Sequence, residues 1–322
     1  MEVALFGAAG YSGLELAKLL AGHPHARLAC AASDTHAGKP VAALTGRAHG
    51  GLAFVTTDEA RALAAGCGIA LLAVPPEPAL ALTRSLRAAG VKVIDLSHAH
   101  RATGDAVYGL ASLFPDDIAR ATVVANPGCY ATAVIMACAP LVRDGLVTGD
   151  LTVVAGSGVT GAGRQAVEEL SLGEMYGEVR AYKVLRHQHV PEIEAVLARL
   201  GSRAAVVLTT HLLPVARGIF ATITARLAAP CPTAALTERF RASYADDPTV
   251  IVAASAEEVS LRKVVGTNTC MVGVATDDRG VVVVTCALDN LLKGAAGQAV
   301  ENLNLMLGFP RLAGLDHLAR HV

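Results

Sequence analysis

The chain has 322 residues, 53% hydrophobic and 17% charged, a balance that excludes a disordered chain and is long enough for two domains. A net charge of −1 with no basic block argues against nucleic-acid binding as the main role. Mean hydropathy is +0.46, yet no uninterrupted apolar run reaches the ~18 residues a spanning helix needs, so no membrane role is expected. The excess comes from Ala and Val in short segments, which suits a parallel sheet buried on both faces. The chain opens on a strand-like run rather than a signal sequence. Its seven cysteines (30, 67, 129, 138, 231, 270, 286) form no CxxC pair, so neither a disulfide framework nor a metal site is indicated. A reducing cytoplasm is the simple expectation.

Glu2–Phe6 reads as a strand and residues 14–21 carry helical spacing. Between them lies Gly7-Ala8-Ala9-Gly10-Tyr11-Ser12-Gly13, where Gly7, Gly10 and Gly13 let backbone approach a pyrophosphate at a helix N-terminus. A second strand, Arg27–Ala32, leads to Ser33 and Asp34, where such folds contact the adenosine ribose. The Asp34 carboxylate leans towards NAD, whereas Ser33, Thr35 and Lys39 can still hold a 2′-phosphate. Residues 69–74 form the next buried strand, ended by Pro75 and Pro76. A helix over 79–89 and a strand over 91–96 follow, then Ser97-His98-Ala99-His100-Arg101. Arg101, at a strand's C-terminal end, is an anion-ligand candidate, and His98 and His100 are expected to face solvent. This alternation predicts a Rossmann-type, doubly wound parallel sheet.

Residues 121–125 read as a buried strand and 133–142 as a helix, with Asn126-Pro127-Gly128-Cys129 forced into a sharp turn between them. Pro fixes φ there and Gly admits φ > 0. Cys129 is thereby placed at a helix start, where unpaired N–H groups favour a thiolate. Beyond it the texture becomes α+β, with strands over 151–155, 205–210, 222–227, 250–253, 271–276 and 281–288 and a mixed or antiparallel sheet. Ser157–Arg164 reads as a flexible, Gly-rich loop, and Tyr182–Leu200 carries His187, His189, Glu192 and Glu194, with Pro191 in a first helical turn. Residues 288–307 read as a helix beginning near Asp289-Asn290.

Seven segments together resemble the N-acetyl-γ-glutamyl-phosphate reductases and their relatives acting on carrier-protein-bound aminoadipyl or glutamyl phosphates. They are GAAGYSGLEL (7–16), DLS…R (95–101), ANPGCYAT (125–132), SGVTGAGR (157–164), HQHVPEIE (187–194), PVARGI (214–219) and DNLLKGAAGQAVENLNLMLG (289–308). The resemblance implies a dinucleotide-binding domain over 1–128, completed by a C-terminal helix over about 289–322, and a catalytic and oligomerisation domain over 129–288. It implies an NAD(P)-dependent oxidoreductase that reduces an acyl phosphate to an aldehyde through a Cys129 thioester. N-acetyl-γ-glutamyl phosphate, giving N-acetylglutamate 5-semialdehyde in arginine biosynthesis, is the leading substrate. His189 is the expected acid–base, with His187 the runner-up. Arg101, Asn126, Arg164, Glu192, Arg217 and Lys293 are the substrate and phosphate candidates. Gly7, Gly10, Tyr11, Ser12, Gly13, Ser33, Asp34, Pro75, Ser157, Gly158 and Asn290 are the cofactor candidates. NADP(H) follows from the family, and NAD(H) stays open because of Asp34. A homodimer or homotetramer is expected, with no nucleic-acid or membrane partner.

Four departures stand out: His98-Ala99-His100 before Arg101 in place of Ala-Asp-Phe, Gln188 between two histidines where Arg is usual, Ala131 in place of Pro, and Met271-Val272 where Asp-Ile is usual. They change the charge around the expected substrate site. A related or carrier-protein-bound acyl phosphate therefore remains open, as do a non-catalytic nucleotide-binding regulator and a thiol acyltransferase without hydride transfer.

Overall fold

A computed structural model describes residues 1–318. The chain divides into two compact units: Met1–Gly128 with Ala295–His317, and Cys129–Gly294 with Leu318.

In the first unit, β1 (Glu2–Phe6), β2 (Arg27–Ala32), β3 (Phe54–Val55), β4 (Ile69–Leu72), β5 (Lys92–Asp95), β6 (Val107–Tyr108) and β7 (Val123–Ala125) form one sheet, ordered β3-β2-β1-β4-β5-β7-β6. Every neighbouring pair is parallel. Ala4, Phe6, Cys30, Ala32, Ala70, Leu72 and Val93 share a core with Ala60, Ala64, Leu82 and Leu86 from the helices Thr57–Ala64 and Pro76–Ala88. The alternate residues Val3, Leu5, Ile69 and Leu71 are equally buried, so they face the other side of the sheet. Burial on both faces is why these strands read as unbroken apolar runs.

The helix Gly297–Leu307 closes this unit, burying Gln298, Glu301, Asn302 and Asn304 alongside the apolar Ala299, Val300, Leu303 and Met306. Asn302 donates to the Gly109 carbonyl (2.8 Å) and to Asn126 Oδ1 (3.0 Å). Asn304 donates to the carbonyls of Arg311 and Ala313 and accepts from His23 Nε2 at 2.9 Å. Glu301 pairs with Arg311 at 2.7 Å. Each bond answers a specific donor or acceptor, so the returning segment can seat in one register only.

In the second unit, β8 (Val147–Gly158), β9 (Arg180–Tyr182), β10 (Val206–Leu213), β11 (Ile219–Leu227), β12 (Val250–Val252), β13 (Cys270–Thr276) and β14 (Val281–Leu288) form a mixed sheet, ordered β12-β13-β14-β11-β8-β10-β9. The helix Cys129–Arg143 packs on β11 and β14 and against the helix Val190–Arg199. Pro140 sits inside the first of these helices. It cannot bond the Met136 carbonyl, which instead accepts from the Tyr244 hydroxyl. The sheet's other face is partly open: alternate residues of β11 are buried, while Val154 on β8 and Val207 on β10 are exposed.

Three expectations are corrected. Ser157 and Gly158 are not a flexible loop. They continue β8, with Ser157 paired to Leu212 on one side and Ile219 on the other. Gly128 does not take positive φ, so its turn uses no left-handed residue. The segment over 289–294 belongs to the second unit, and the return to the first begins at Ala295 rather than near Asp289. The reason lies in Asp289, whose carboxylate accepts from the backbone N–H groups of Gly266, Leu291 and Leu292 and ties that turn to the second unit.

Candidate active site

In the first unit, a candidate dinucleotide site is built on the glycine turn after β1. Gly7 has φ +74°, and a Cβ there would lie 2.2 Å from the Ala73 carbonyl oxygen at the exit of β4. A Cβ on Gly13 would lie 2.2 Å from the Gly7 carbonyl. Only glycine fits at either position. Gly10 caps the helix Tyr11–Ala21 without a side-chain hydrogen bond, and no acidic residue occupies its first turn. Those N–H groups are open to an anion. The turn also lies where the strand order reverses, β1 having β2 on one side and β4 on the other. These residues fit a dinucleotide pyrophosphate. Tyr11 and Ser12 lie half-buried in the same first turn, and Pro75 caps the helix that follows β4.

At the end of β2, Ser33 is buried and Asp34 exposed. Asp34 accepts from the Thr57 backbone N–H (2.7 Å) and hydroxyl (2.9 Å), a structural tie to the next helix that the sequence did not signal. Beside it, the Thr35 hydroxyl bonds His36 Nδ1 at 2.8 Å, and Lys39 is exposed.

Arg101 donates to the carbonyls of Asn126 (2.8 Å) and Leu96 (2.6 Å), bracing the loop that leads to Cys129. Asn126 is 1% exposed and its amide bonds Asn302 and the Ala295 carbonyl. It is a scaffold residue of the first unit rather than a ligand for phosphate. His100, expected in solvent, is buried with Nδ1 3.0 Å from the Asp105 carboxylate. His98 is exposed.

In the second unit, the candidate catalytic residues gather around the start of the helix Cys129–Arg143. Cys129 is its first residue and is partly accessible. Of the seven cysteines, only Cys129 and Cys231 are not buried. Burial pushes the Cys30 thiol to about 11 and the Cys138 thiol to about 12, which makes them unreactive.

Next to Cys129 lies a cluster of tyrosines and histidines. Tyr182 donates its hydroxyl to the Tyr130 hydroxyl (3.0 Å), and Tyr130 donates to the His211 carbonyl (3.3 Å). Burial pushes Tyr182 up to about 12 and Tyr130 further still, so both remain protonated donors. The His187 ring packs edge-on against both, its centroid 5.2 Å from that of Tyr130 and 5.9 Å from that of Tyr182. His187 Nδ1 accepts the backbone N–H of His189 at 3.2 Å, which leaves Nε2 as the protonated nitrogen of the neutral ring. The His189 ring packs edge-on at 4.7 Å from His187, with Nε2 3.8 Å from the buried Glu192 carboxylate. The two histidines are thereby distinguished: one is held neutral, the other faces a carboxylate.

Burial, then the Lys183 charge, lowers the His187 pKa to about 4. The unfolded chain takes up this proton near pH 6.5, whereas the folded chain does not until about pH 4. Stability from this group is complete above pH ~6.5 and is lost as pH falls towards ~4, by on the order of 2 kcal/mol. Urea midpoints at pH 7.5, 6 and 5 should fall more steeply for the parent than for His187→Gln.

The remaining candidates divide. Arg217 is half-buried, 3.7 Å from the Asp289 carboxylate, and Arg164 is exposed. Asn290 accepts from the Gly218 N–H (2.8 Å) and donates to the Thr160 hydroxyl (3.1 Å). Gly158 is required by close backbone, since a Cβ there would lie 2.7 Å from the Ala216 carbonyl. Lys293 is corrected: it is fully buried, its ammonium donating to the Thr249 hydroxyl at 2.8 Å, and presents no charge to a surface anion. Sequence reasoning missed Tyr130 and Tyr182, although Tyr130 is the next residue after Cys129.

Residues 2–121 match the family model described as Semialdehyde dehydrogenase, NAD binding domain, and residues 129–290 match Semialdehyde dehydrogenase, dimerisation domain. The chain is thus an oxidoreductase of the semialdehyde dehydrogenase class. Among curated relatives, the N-acetyl-gamma-glutamyl-phosphate reductase of Cyanothece sp. is 38% identical over 99% of this chain and 97% of its own length. The enzyme of the same name from Chlorobaculum tepidum is 40% identical, covering 98% of this chain and 97% of its own. A probable aspartate-semialdehyde dehydrogenase from Pseudomonas aeruginosa shares the fold, with a TM-score of 0.79 at 24% identity over 95% of this chain and 98% of that one. The chain belongs to the N-acetyl-γ-glutamyl-phosphate reductase family.

Proposed function

We propose that the chain reduces N-acetyl-γ-glutamyl phosphate to N-acetylglutamate 5-semialdehyde and phosphate. The observation that carries this reading is Cys129, a partly accessible cysteine at the first position of a 15-residue helix whose next residue, Tyr130, packs on the rings of His187 and His189. The Cys129 thiolate attacks the acyl carbon, the C–O bond to phosphate breaks, and a thioester remains. When bound, a reduced nicotinamide would supply the hydride that takes this thioester to a thiohemiacetal on Cys129. His189 protonates the oxyanion as it forms, and then takes the hydroxyl proton as the C–S bond breaks. Glu192 orients the His189 ring. The Tyr130 and Tyr182 hydroxyls fix the wall against which both imidazoles pack. Arg164 and Arg217 are the cations we assign to the phosphate and carboxylate of the substrate.

The Gly7–Gly13 turn holds the dinucleotide pyrophosphate, with Ser33 and Pro75 at neighbouring strand ends. For the cofactor we favour NADP(H). Thr57 already engages Asp34, while Thr35, His36 and Lys39 offer donors for a 2′-phosphate. The test runs the reaction backwards, with N-acetylglutamate semialdehyde, phosphate or arsenate, and either NADP or NAD. Turnover is expected with NADP preferred, and NAD preference would return the ribose contact to Asp34. No turnover from a chain that still binds dinucleotide would overturn the substrate and point to a carrier-bound acyl phosphate.

The partner is a second copy of this chain, seated on the open face of the second sheet. Val154 and Val207 are exposed there, among side chains that alternate with the core. Light scattering at micromolar concentration should give at least twice the chain mass of 32.9 kDa, and Val154→Asp with Val207→Asp should lower it. Among the described residues no helix is long and apolar enough to cross a membrane. None of the seven cysteines forms a disulfide, which suits the reducing cytoplasm expected for a biosynthetic enzyme.

A further inference from the structure

After β14 the chain does not enter an α-helix directly. Leu292–Ala296 forms a π turn, and only from Gly297 does the α-helix begin. The Gly294 N–H bonds the Asp289 carbonyl, five residues back, at 2.9 Å. The extra residue in such a turn pushes backbone out of the helical cylinder. Here it pushes Gly294 against Cys129. A Cβ on Gly294 would lie 2.9 Å from the Cys129 Cβ, 3.1 Å from Leu288 Cδ1 and 3.2 Å from the Asp289 carbonyl oxygen.

Buried bonds on both sides prevent this turn from backing away. Asp289 accepts three backbone N–H groups, Asn290 bridges Gly218 and Thr160, and Lys293 is tied to Thr249. Residue 294 is thus a fixed wall of bare backbone against the thiol-bearing carbon, and the wall has room for a hydrogen atom only.

We propose that Gly294 is a positioning residue for Cys129, its π turn seating the cysteine in the orientation from which the sulfur attacks. This rests on the reading of Cys129 as nucleophile. π bulges cluster at functional sites, and a reactive atom misplaced by 1 Å costs about 100-fold in rate. A methyl group at residue 294 displaces the Cys129 Cβ by several tenths of an ångström, an expected loss of roughly 10-fold.

The experiment compares Gly294→Ala with the parent as full-length protein. Expected are a roughly 10-fold fall in kcat, KM for the dinucleotide within about twofold, and a shifted pH profile for Cys129 alkylation by iodoacetamide. A purely structural role would move the thermal midpoint and leave that profile in place. Should Gly294→Ala fold poorly, adding Leu288→Val removes the second contact and leaves the one with Cys129. Parent-like kcat and alkylation in a folded variant would overturn the proposal, as would failure of both variants to fold, since Gly294 would then serve packing alone. An active Cys129→Ser would instead overturn the nucleophile, whatever Gly294→Ala does.

Discussion

Cys129→Ser is expected to lower kcat for aldehyde formation by at least about 10⁴-fold while leaving the thermal midpoint and dinucleotide affinity close to the parent's. A hydroxyl at this position fits the space but ionises far less readily than a thiol, and its ester is a poorer hydride acceptor. Five of the other six cysteines are buried, so no neighbour in the core substitutes for it. Rapid mixing of acyl phosphate with the parent in the absence of dinucleotide should release about one equivalent of phosphate per site. The serine variant should release none. Normal turnover by the variant would remove the covalent route altogether.

His189→Asn is expected to cost roughly 10²–10⁴-fold in kcat, the usual contribution of a positioned acid–base. The expectation is specific to this histidine. His187 is neutral above about pH 4 and has Nδ1 committed to the His189 N–H, so its ring is a scaffold. His187→Gln keeps an acceptor for that N–H and should retain most of the activity near neutral pH. In His189→Asn the phosphate burst should persist while aldehyde release slows, separating the acid–base step from the attack. Equal damage from both substitutions would return the proton-transfer role to the pair.

Much of this was legible beforehand because local signals and fold agree. Gly7 and Gly13 are forced by a carbonyl 2.2 Å from each missing Cβ, so the turn announces itself in sequence. Cys129 is announced by the strand before it and the apolar helix after it. Pro191 marked the start of the helix bearing Glu192 correctly. What stayed hidden depends on partners distant in the chain. Lys293 reads as a free cation until Thr249, 44 residues away, is seen to hold it. Asn126 reads as a ligand until Asn302, 176 residues on, takes its oxygen. His100 reads as a loop residue until it is found buried beside Asp105. Ser157 and Gly158 read as loop because glycine is scarce in strands, yet pairing on both sides outweighs that preference.

The discontinuity of the first unit has a consequence for how the protein is made. Its seven-stranded sheet is fully synthesised once the ribosome passes Ala125, but the helix over 297–307 emerges some 170 residues later. At translation rates of about 5–20 residues per second, the nascent sheet waits roughly ten to thirty seconds with Asn126, Gly109 and His23 lacking their partners. The second unit, whose strands all lie between those two pieces, has time to form first. The nascent amino-terminal piece is therefore the natural client for a chaperone. Joining residues 295–317 directly ahead of residue 1 through a flexible linker should shorten that exposure and raise the yield of refolded protein.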